Sequence, residues 1–347
     1  MALGVVVVGA GYWGPNLVRN FMKSDDWQLR AVCDANVARA EAVIGRYSTV
    51  KAVGSFDEVL ADDSVDAVAI ATPAGTHFDL ACAALEAGKH VLIEKPIAAS
   101  VSEAEKLVDL ADQRGLTLMC DHTFVYTPAV QKIRELVLGG ELGEIQYVDS
   151  VRINLGLIQP DIDVIWDLAP HDLSILDAVL PEHNRPSAVS AFGVDPVGAG
   201  RACVAYLNLP LAGGGIAHTH VNWLSPVKIR TMVIGGSKKM IVWDDMSTTQ
   251  RISLYDKGVD LSASMNAAQR SATLVSYRLG EMVAPALTEK EALGNMVAEF
   301  AASIIEQRAP LTDGRAGLRV VQTLHAASRS LEANGSLISL SGTEGTS

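Results

Sequence analysis

Over the first 120 residues, short apolar and β-branched runs alternate with longer stretches whose apolar positions recur every three or four residues. "GVVVVGAG" is followed by "WGPNLVRNFM", "QLRAVCD" by "VARAEAVIGRY", "VDAVAIATP" by "HFDLACAALEAGK", and "HVLIEKP" by "SEAEKLVDLADQRG". "TLMCDHTF" closes the series. The alternation predicts a parallel sheet covered by helices, and continuously apolar strands such as "VVVV" and "AVAIA" suit a sheet buried on both faces. After a helical segment, "AVQKIRELVLGGELG", the texture changes. From Glu144 to about Val259 come "EIQYVDSVRINLG", "ACVAYLNL", "GIAHTHVNW", "VKIRTMVIGG", "KKMIVWDD" and "RISLYDKGV", with Gly, Pro and Asn/Asp turns between them. They predict a mostly antiparallel sheet with one open face. Helical patterns from Glu289 to Gln307 and from Arg315 to Glu332 follow, and the small, polar tail from about Asn334 reads as loose.

Composition narrows the picture. At 347 residues, 49% hydrophobic, the chain is long and apolar enough for two packed domains. The net charge of −12 comes from scattered acids, which argues against nucleic-acid or anionic-membrane partners but leaves room for an anionic ligand held by a few local cations. Cys33, Cys82, Cys120 and Cys203 lie far apart without a CxxC pair, so free thiols and no metal site are expected. The start of the chain runs straight into a strand and no apolar run reaches 18 residues. A cytoplasmic protein with no membrane span is the expectation.

The first strand leads into "GAGYWG", with Gly9, Gly11 and Gly14 in GxGxxG spacing at the opening of a helix. Glycines there permit a tight turn and close approach to a pyrophosphate, whose charge meets the positive end of the helix. Asp34, ending "AVCD", stands where a carboxylate accepts hydrogen bonds from an adenosine ribose. It would repel a 2′-phosphate, and "ANVAR" places no arginine immediately beside it, so NAD is favoured over NADP. Tyr12 and Trp13 fall within the loop. The predicted class is α/β: an N-terminal Rossmann dinucleotide-binding domain (1–122), an α+β domain with a mostly antiparallel open-faced sheet (123–334), and a flexible tail (335–347).

"ATPAGTH", from Ala71 to His77, ends the fourth strand, and "EKP", from Glu94 to Pro96, ends the fifth. Together with "DLAPH", from Asp167 to His171, these resemble the glucose-fructose oxidoreductase / inositol dehydrogenase / rhizopine catabolism family over nearly the whole chain, to about residue 334. "GYWGPNLVRNF", "DHTFVYTPAV", "RINLGLIQPDIDVIWDLAPHDLSIL" and "GGSKKMIVWDD" are similar to its UDP-N-acetylglucosamine 3-dehydrogenase-like, nucleotide-sugar branch. The resemblance implies NAD contacts at Gly9, Gly11, Tyr12, Trp13, Gly14 and Asp34, then at Thr72, Pro73, His77, Glu94 and Lys95. His122 takes a place where many relatives carry asparagine, and is carried as a cofactor contact.

Taking a hydride from a secondary alcohol requires the hydroxyl proton to leave as well, so a base must reach the oxygen. Of Lys95 and His171, an ordinary histidine is mostly neutral at pH 7 and an ordinary lysine mostly protonated. That makes His171 the expected base and Lys95 the donor to the developing alkoxide. Proline is best tolerated in a first helical turn, so Pro170 predicts a helix start near Leu168, with Asp167 as N-cap or as orienter of the histidine ring. The bland alternative is a cap and a satisfied core histidine. Arg152 and Asn154 alternate with Val151 and Ile153 on one predicted strand and are substrate candidates, as are Tyr126, Lys95, Asp167 and His171. The expected reaction is oxidation of a ring hydroxyl, C3 foremost, of a nucleotide-linked hexose or amino sugar. An inositol or free-sugar dehydrogenase and a non-catalytic NAD-binding regulator are the rivals, and a homodimer or homotetramer through the second sheet is the expected assembly.

Overall fold

The run predicted as the first buried strand, Leu3–Val8 (β1), lies in the middle of a six-stranded sheet, with Val5, Val6 and Val7 wholly buried. In this computed structural model, which describes residues 2–45, 49–260 and 276–340, its companions are Trp27–Cys33 (β2), Lys51–Val53 (β3), Ala67–Ile70 (β4), His90–Glu94 (β5) and Leu118–Asp121 (β6). Every pairing is parallel, in the order β3-β2-β1-β4-β5-β6. Strand order reverses next to β1, and in such sheets ligands bind outside the carboxyl ends of the strands. The covering helices are Gly14–Lys23 (α1), Val37–Ile44 (α2), Phe56–Leu60 (α3), His77–Glu86 (α4) and Val101–Arg114 (α5). α5 shows how local sequence sets such boundaries: Ser100 and Glu103 form a reciprocal capping box, and Gly115 closes the helix at a φ of 63°. Arg46 and Tyr47, in the predicted α2 pattern, lie outside the described residues.

The chain divides into two compact units that interleave along the sequence: Met1–Val130, Leu173–Ala178 and Glu289–His325 form one, and Gln131–Asp172, Val179–Thr288 and Ala326–Ser347 the other. A single cut at 122 therefore misses the return of the chain. The remaining helices are Pro128–Leu138 (α6), Val164–Val179 (α7), Ala292–Ile305 (α8) and Gly314–Glu332 (α9). In the first unit, Phe300 of α8 stacks on Trp27, whose indole N–H donates to Val297 O at 2.9 Å. Leu293, Met296 and Val297 complete a shared core with Phe21 and Leu17 of α1.

The second unit is built on a nine-stranded sheet. Its strands are Ile145–Leu155 (β7), Ala188–Val194 (β8), Val204–Pro210 (β9), Ile216–Asn222 (β10), Leu224–Gly236 (β11), Met240–Asp244 (β12), Ile252–Asp260 (β13), Ser276–Val283 (β14) and Ile338–Ser339 (β15). The order is β14-β13-β12-β11-β7-β10-β9-β8-β15, and only the β7 to β10 pairing is parallel. The expectation of a loose tail is corrected for its first part. Ile338 and Ser339 pair with Val189 and Ala188, and Ser190 Oγ donates to Gly335 O at 2.7 Å, so backbone pairing holds a stretch that composition made look free. Residues 341–347 lie outside the described residues.

Candidate active site

The glycine-rich loop is shaped by two of its three glycines. Gly9 has a φ of 101°, and a Cβ there would lie 2.6 Å from Ala71 O; at Gly14 a Cβ would lie 2.1 Å from Gly9 O. Both positions exclude a side chain for the sake of the turn itself. Gly11 differs, because a Cβ there would meet nothing within 4 Å. Its bareness is not explained by packing and leaves room for a ligand to approach the backbone where α1 begins. Asp34, just past β2, accepts from the Ala10 N–H through Oδ2 and from the Asn36 N–H through Oδ1, both at 2.8 Å. It braces the loop and remains partly accessible. Open space at Gly11, a helix N-terminus and an accessible carboxylate fit the adenosine diphosphate half of a dinucleotide. Tyr12 is 95% exposed, whereas Trp13 turns inward and donates from Nε1 to Asp121 Oδ2 at 2.9 Å.

At the ends of β4 and β5, the structure corrects one expected cofactor contact. His77 is buried, its Nδ1 lies 2.8 Å from Pro96 O and its Nε2 2.9 Å from Thr72 O. Burial lowers its basicity, the two carbonyls oppose that, and the ring joins the Thr72–Pro73 turn to the Lys95–Pro96 peptide, which is cis. Glu94 accepts the Lys95 N–H at 2.9 Å, and burial, reinforced by Asp121, raises its pKa well above the usual carboxylate range. Asp121 was not singled out in the sequence. An acid ending the apolar run "LMCD" was the available signal.

His122 follows at 1% exposure, and among the described residues neither ring nitrogen has a hydrogen-bond partner. Burial pushes its pKa down to about 4, Lys95 acts in the same direction, and Asp177 opposes them. A neutral imidazole of this kind has one donor and one acceptor to offer a ligand. Tyr126 is corrected as a substrate candidate: it is buried, its hydroxyl bonds Thr312 Oγ1 at 2.9 Å, and Thr312 donates on to Cys120 O. That chain of bonds ties the end of β6 to the segment before α9 within one unit.

In the second unit α7 begins at Val164, four residues earlier than Pro170 predicts. The cap is Asp163, whose Oδ1 accepts from the Ile165 and Trp166 N–H groups at 2.9 and 3.0 Å. Pro170 sits inside the helix. The lost hydrogen bond is tolerated because Val164, Ile165 and Ala169 bury the turn before it. His171 is thus the eighth helical residue, and the helix-terminus argument for its neutrality does not reach it. Asp167 is no cap; its Oδ2 accepts from Trp223 Nε1 at 2.9 Å, one turn before the half-buried His171.

Arg152 is also corrected. It is 2% exposed, and its Nε and Nη2 meet Asp172 Oδ2 and Oδ1 at 2.7 and 3.1 Å, with Ser150 Oγ adding a third bond to that carboxylate at 2.9 Å. The alternating pattern located its sheet face but not its partner on α7. Asn154 is half buried near the end of β7. Together, the first unit gathers Gly9, Gly11, Gly14, Asp34, Thr72, Pro73, Lys95 and His122 at the carboxyl ends of one sheet. The second unit places Asp167 and His171 on one helix. A cavity of about 520 Å³ in the first unit opens instead at the amino ends of β5 and β6, where Arg308 and Arg315 are paired with Glu299 and Asp112. Among the described residues no group of three or more His, Cys, Asp or Glu could hold a metal, and no helix is long and apolar enough to cross a membrane.

Comparison with known proteins agrees with this geometry. The family profile described as "Oxidoreductase family, NAD-binding Rossmann fold" matches residues 3–122. UDP-N-acetylglucosamine 3-dehydrogenase from Acidithiobacillus ferrooxidans is 30% identical over 318 residues, covering 91% of this chain and 93% of that protein. Its solved structure, named GnnA, superposes with a TM-score of 0.80 at 29% identity over 96% of this chain and 99% of the other. GenD2 from gentamicin A biosynthesis, solved in complex with NAD, gives a TM-score of 0.79 at 25% identity over 98% of this chain and 97% of its own. An NADP(+)-dependent scyllo-inositol 2-dehydrogenase from Bacillus subtilis is 27% identical over 201 residues, 54% of this chain and 52% of that protein.

Proposed function

The chain belongs to the glucose-fructose oxidoreductase / inositol dehydrogenase / rhizopine catabolism family of oxidoreductases, and we propose that it oxidises the C3 hydroxyl of a nucleotide-linked hexose or amino sugar to the ketone. The observation that carries this reading is the nearly full-length relationship to a UDP-N-acetylglucosamine 3-dehydrogenase. The bare approach to Gly11 beside Asp34 supports NAD as the acceptor. Bound nicotinamide supplies the hydride acceptor. His171 takes the hydroxyl proton, with Asp167 one turn before it, and Lys95 donates to the oxygen as negative charge develops. Thr72 and Pro73 shape the cofactor side of the first unit, and Asn154 is retained as a substrate contact.

Thermal denaturation tests the substrate class. A UDP- or dTDP-linked amino sugar, added with NAD, is expected to raise the melting temperature and myo-inositol to leave it unchanged. The reverse result would transfer the reading to the inositol class, which the Bacillus subtilis relative represents. For the chemistry, His171→Ala is expected to lower kcat by about 10²–10⁴-fold. If it keeps most of the turnover while Lys95→Ala abolishes the pH dependence, the base has been misassigned. Assembly of copies through the open face of the second sheet is supported by exposed Phe192, Tyr206 and Ile216, and light scattering that gives a monomer mass would sink it.

A further inference from the structure

We propose that Glu94, Asp121 and Trp13 form one positioning device, in which a single proton held between the two carboxyl groups fixes the glycine-rich loop to the strand ends beside Lys95. The inference rests on the dinucleotide-binding reading of that loop. Glu94 and Asp121 end adjacent parallel strands and pair across the sheet in register, so both side chains leave the same face of the sheet. Two carboxyl groups held side by side and away from water cannot both ionise cheaply, so one of the pair keeps its proton. Asp121 is the ionised partner. It accepts from Trp13 Nε1 at 2.9 Å and from Thr123 Oγ1 at 2.5 Å, two donors that favour the charged form there.

Glu94 is the acid, and its surroundings agree. Burial raises its pKa most, the Asp121 charge raises it further, and Lys95 beside it acts the other way. Asp121 faces it from β6, and the neighbouring Cys120 thiol is itself pushed up by burial and by both acids. Trp13 is the residue that caps α1, so its tie to Asp121 holds the start of the helix that a pyrophosphate would meet. Loss of the Glu94 proton sets two like charges in contact and loosens that tie. Glu94 and Asp121 are therefore positioning residues, acting through Trp13.

The test uses the full chain without cofactor, ¹⁵N-labelled at the indoles, with the Trp13 resonance identified by its disappearance in Trp13→Phe. In the wild-type protein that resonance is expected to move as pH is raised above the ordinary carboxylate range, as a buried acid with a raised pKa titrates. In Glu94→Gln, which keeps a donor toward Asp121 but cannot ionise, it is expected to stay in place. NAD titrations on the same samples are expected to show wild-type affinity falling by about tenfold across that rise in pH, the scale of one charged hydrogen bond, with Glu94→Gln nearly flat and Glu94→Ala weak throughout. Should Glu94→Gln fail to fold, Trp13→Phe carries the test, with about a tenfold loss of affinity at neutral pH and no further alkaline loss. A wild-type resonance that ignores pH, or one that moves alike in Glu94→Gln, overturns the proposal. A folded protein that binds no NAD at any pH overturns instead the dinucleotide reading, while the resonance still reports on the pair itself.

Discussion

Two glycines of one motif predict opposite phenotypes. Gly14→Ala drives a methyl against Gly9 O, so it is expected to cost roughly 1–3 kcal/mol in stability, read by urea denaturation. Gly11→Ala has open space in the structure, so its melting temperature should match the wild type while NAD affinity falls by about tenfold or more. An unchanged affinity would remove Gly11 from the cofactor surface. On the proposed reading of Asp34 as a ribose contact, Asp34→Ala is expected to shift the ratio of NAD to NADP affinity toward NADP and, through loss of the Ala10 bond, to weaken both cofactors. The turn-forming glycines Gly9 and Gly14 were legible in the sequence because spacing within one loop defines the turn. Arg152, Tyr126 and His77 were not, because what each touches is chosen by folding. Asp172 is 20 residues from Arg152, Thr312 is 186 from Tyr126, and Pro96 is 19 from His77.

At the scale of elements, α7 is tied to the sheet by the buried Arg152–Asp172 pair. Arg152→Ala leaves the Asp172 carboxylate buried without its counter-charge, which is expected to destabilise the protein by about 3–5 kcal/mol, measured by denaturant titration. The double replacement Arg152→Met with Asp172→Leu should recover most of that loss, since neither charge then remains; a double variant as unstable as the single would contradict this account. Removing the cap with Asp163→Ala should cost about 1 kcal/mol. Most long elements were visible as periodicity, yet β3, α3, β8, β14 and β15 were not, and neither was the true start of α7. β15 has two residues, too few to show a period, and Pro170 gave a helix-start signal that burial of the preceding turn overrode.

At the scale of the molecule, stability is linked to pH in two opposing ways. His122 has a pKa of about 4 in the native state against an ordinary value of 6.5, so between those values the unfolded chain binds a proton that the native one does not. Stability is expected to fall as pH drops through that window, by at most roughly 3 kcal/mol, and His122→Asn should flatten the loss. Glu94 works the other way: its raised pKa makes the native state the better proton binder above pH 4.5, so stability falls as pH rises from there until native Glu94 titrates. Glu94→Gln should flatten that limb in calorimetric scans, and curves superimposable on the wild type would remove the Glu94 assignment. The two-unit plan was legible as a change of texture near Glu144, but the interleaving was not, because an amphipathic helix does not announce which core it joins. That interleaving bears on how the protein can be taken apart. A recombinant piece ending at residue 122 would expose to water the Trp27 and Phe21 surface that α8 covers, and is expected to aggregate; supplying residues 289–325 in trans should rescue it by fragment complementation. The cofactor half of this enzyme is thus not a detachable cassette, and chimaeras that exchange it with a relative must carry all three pieces of chain.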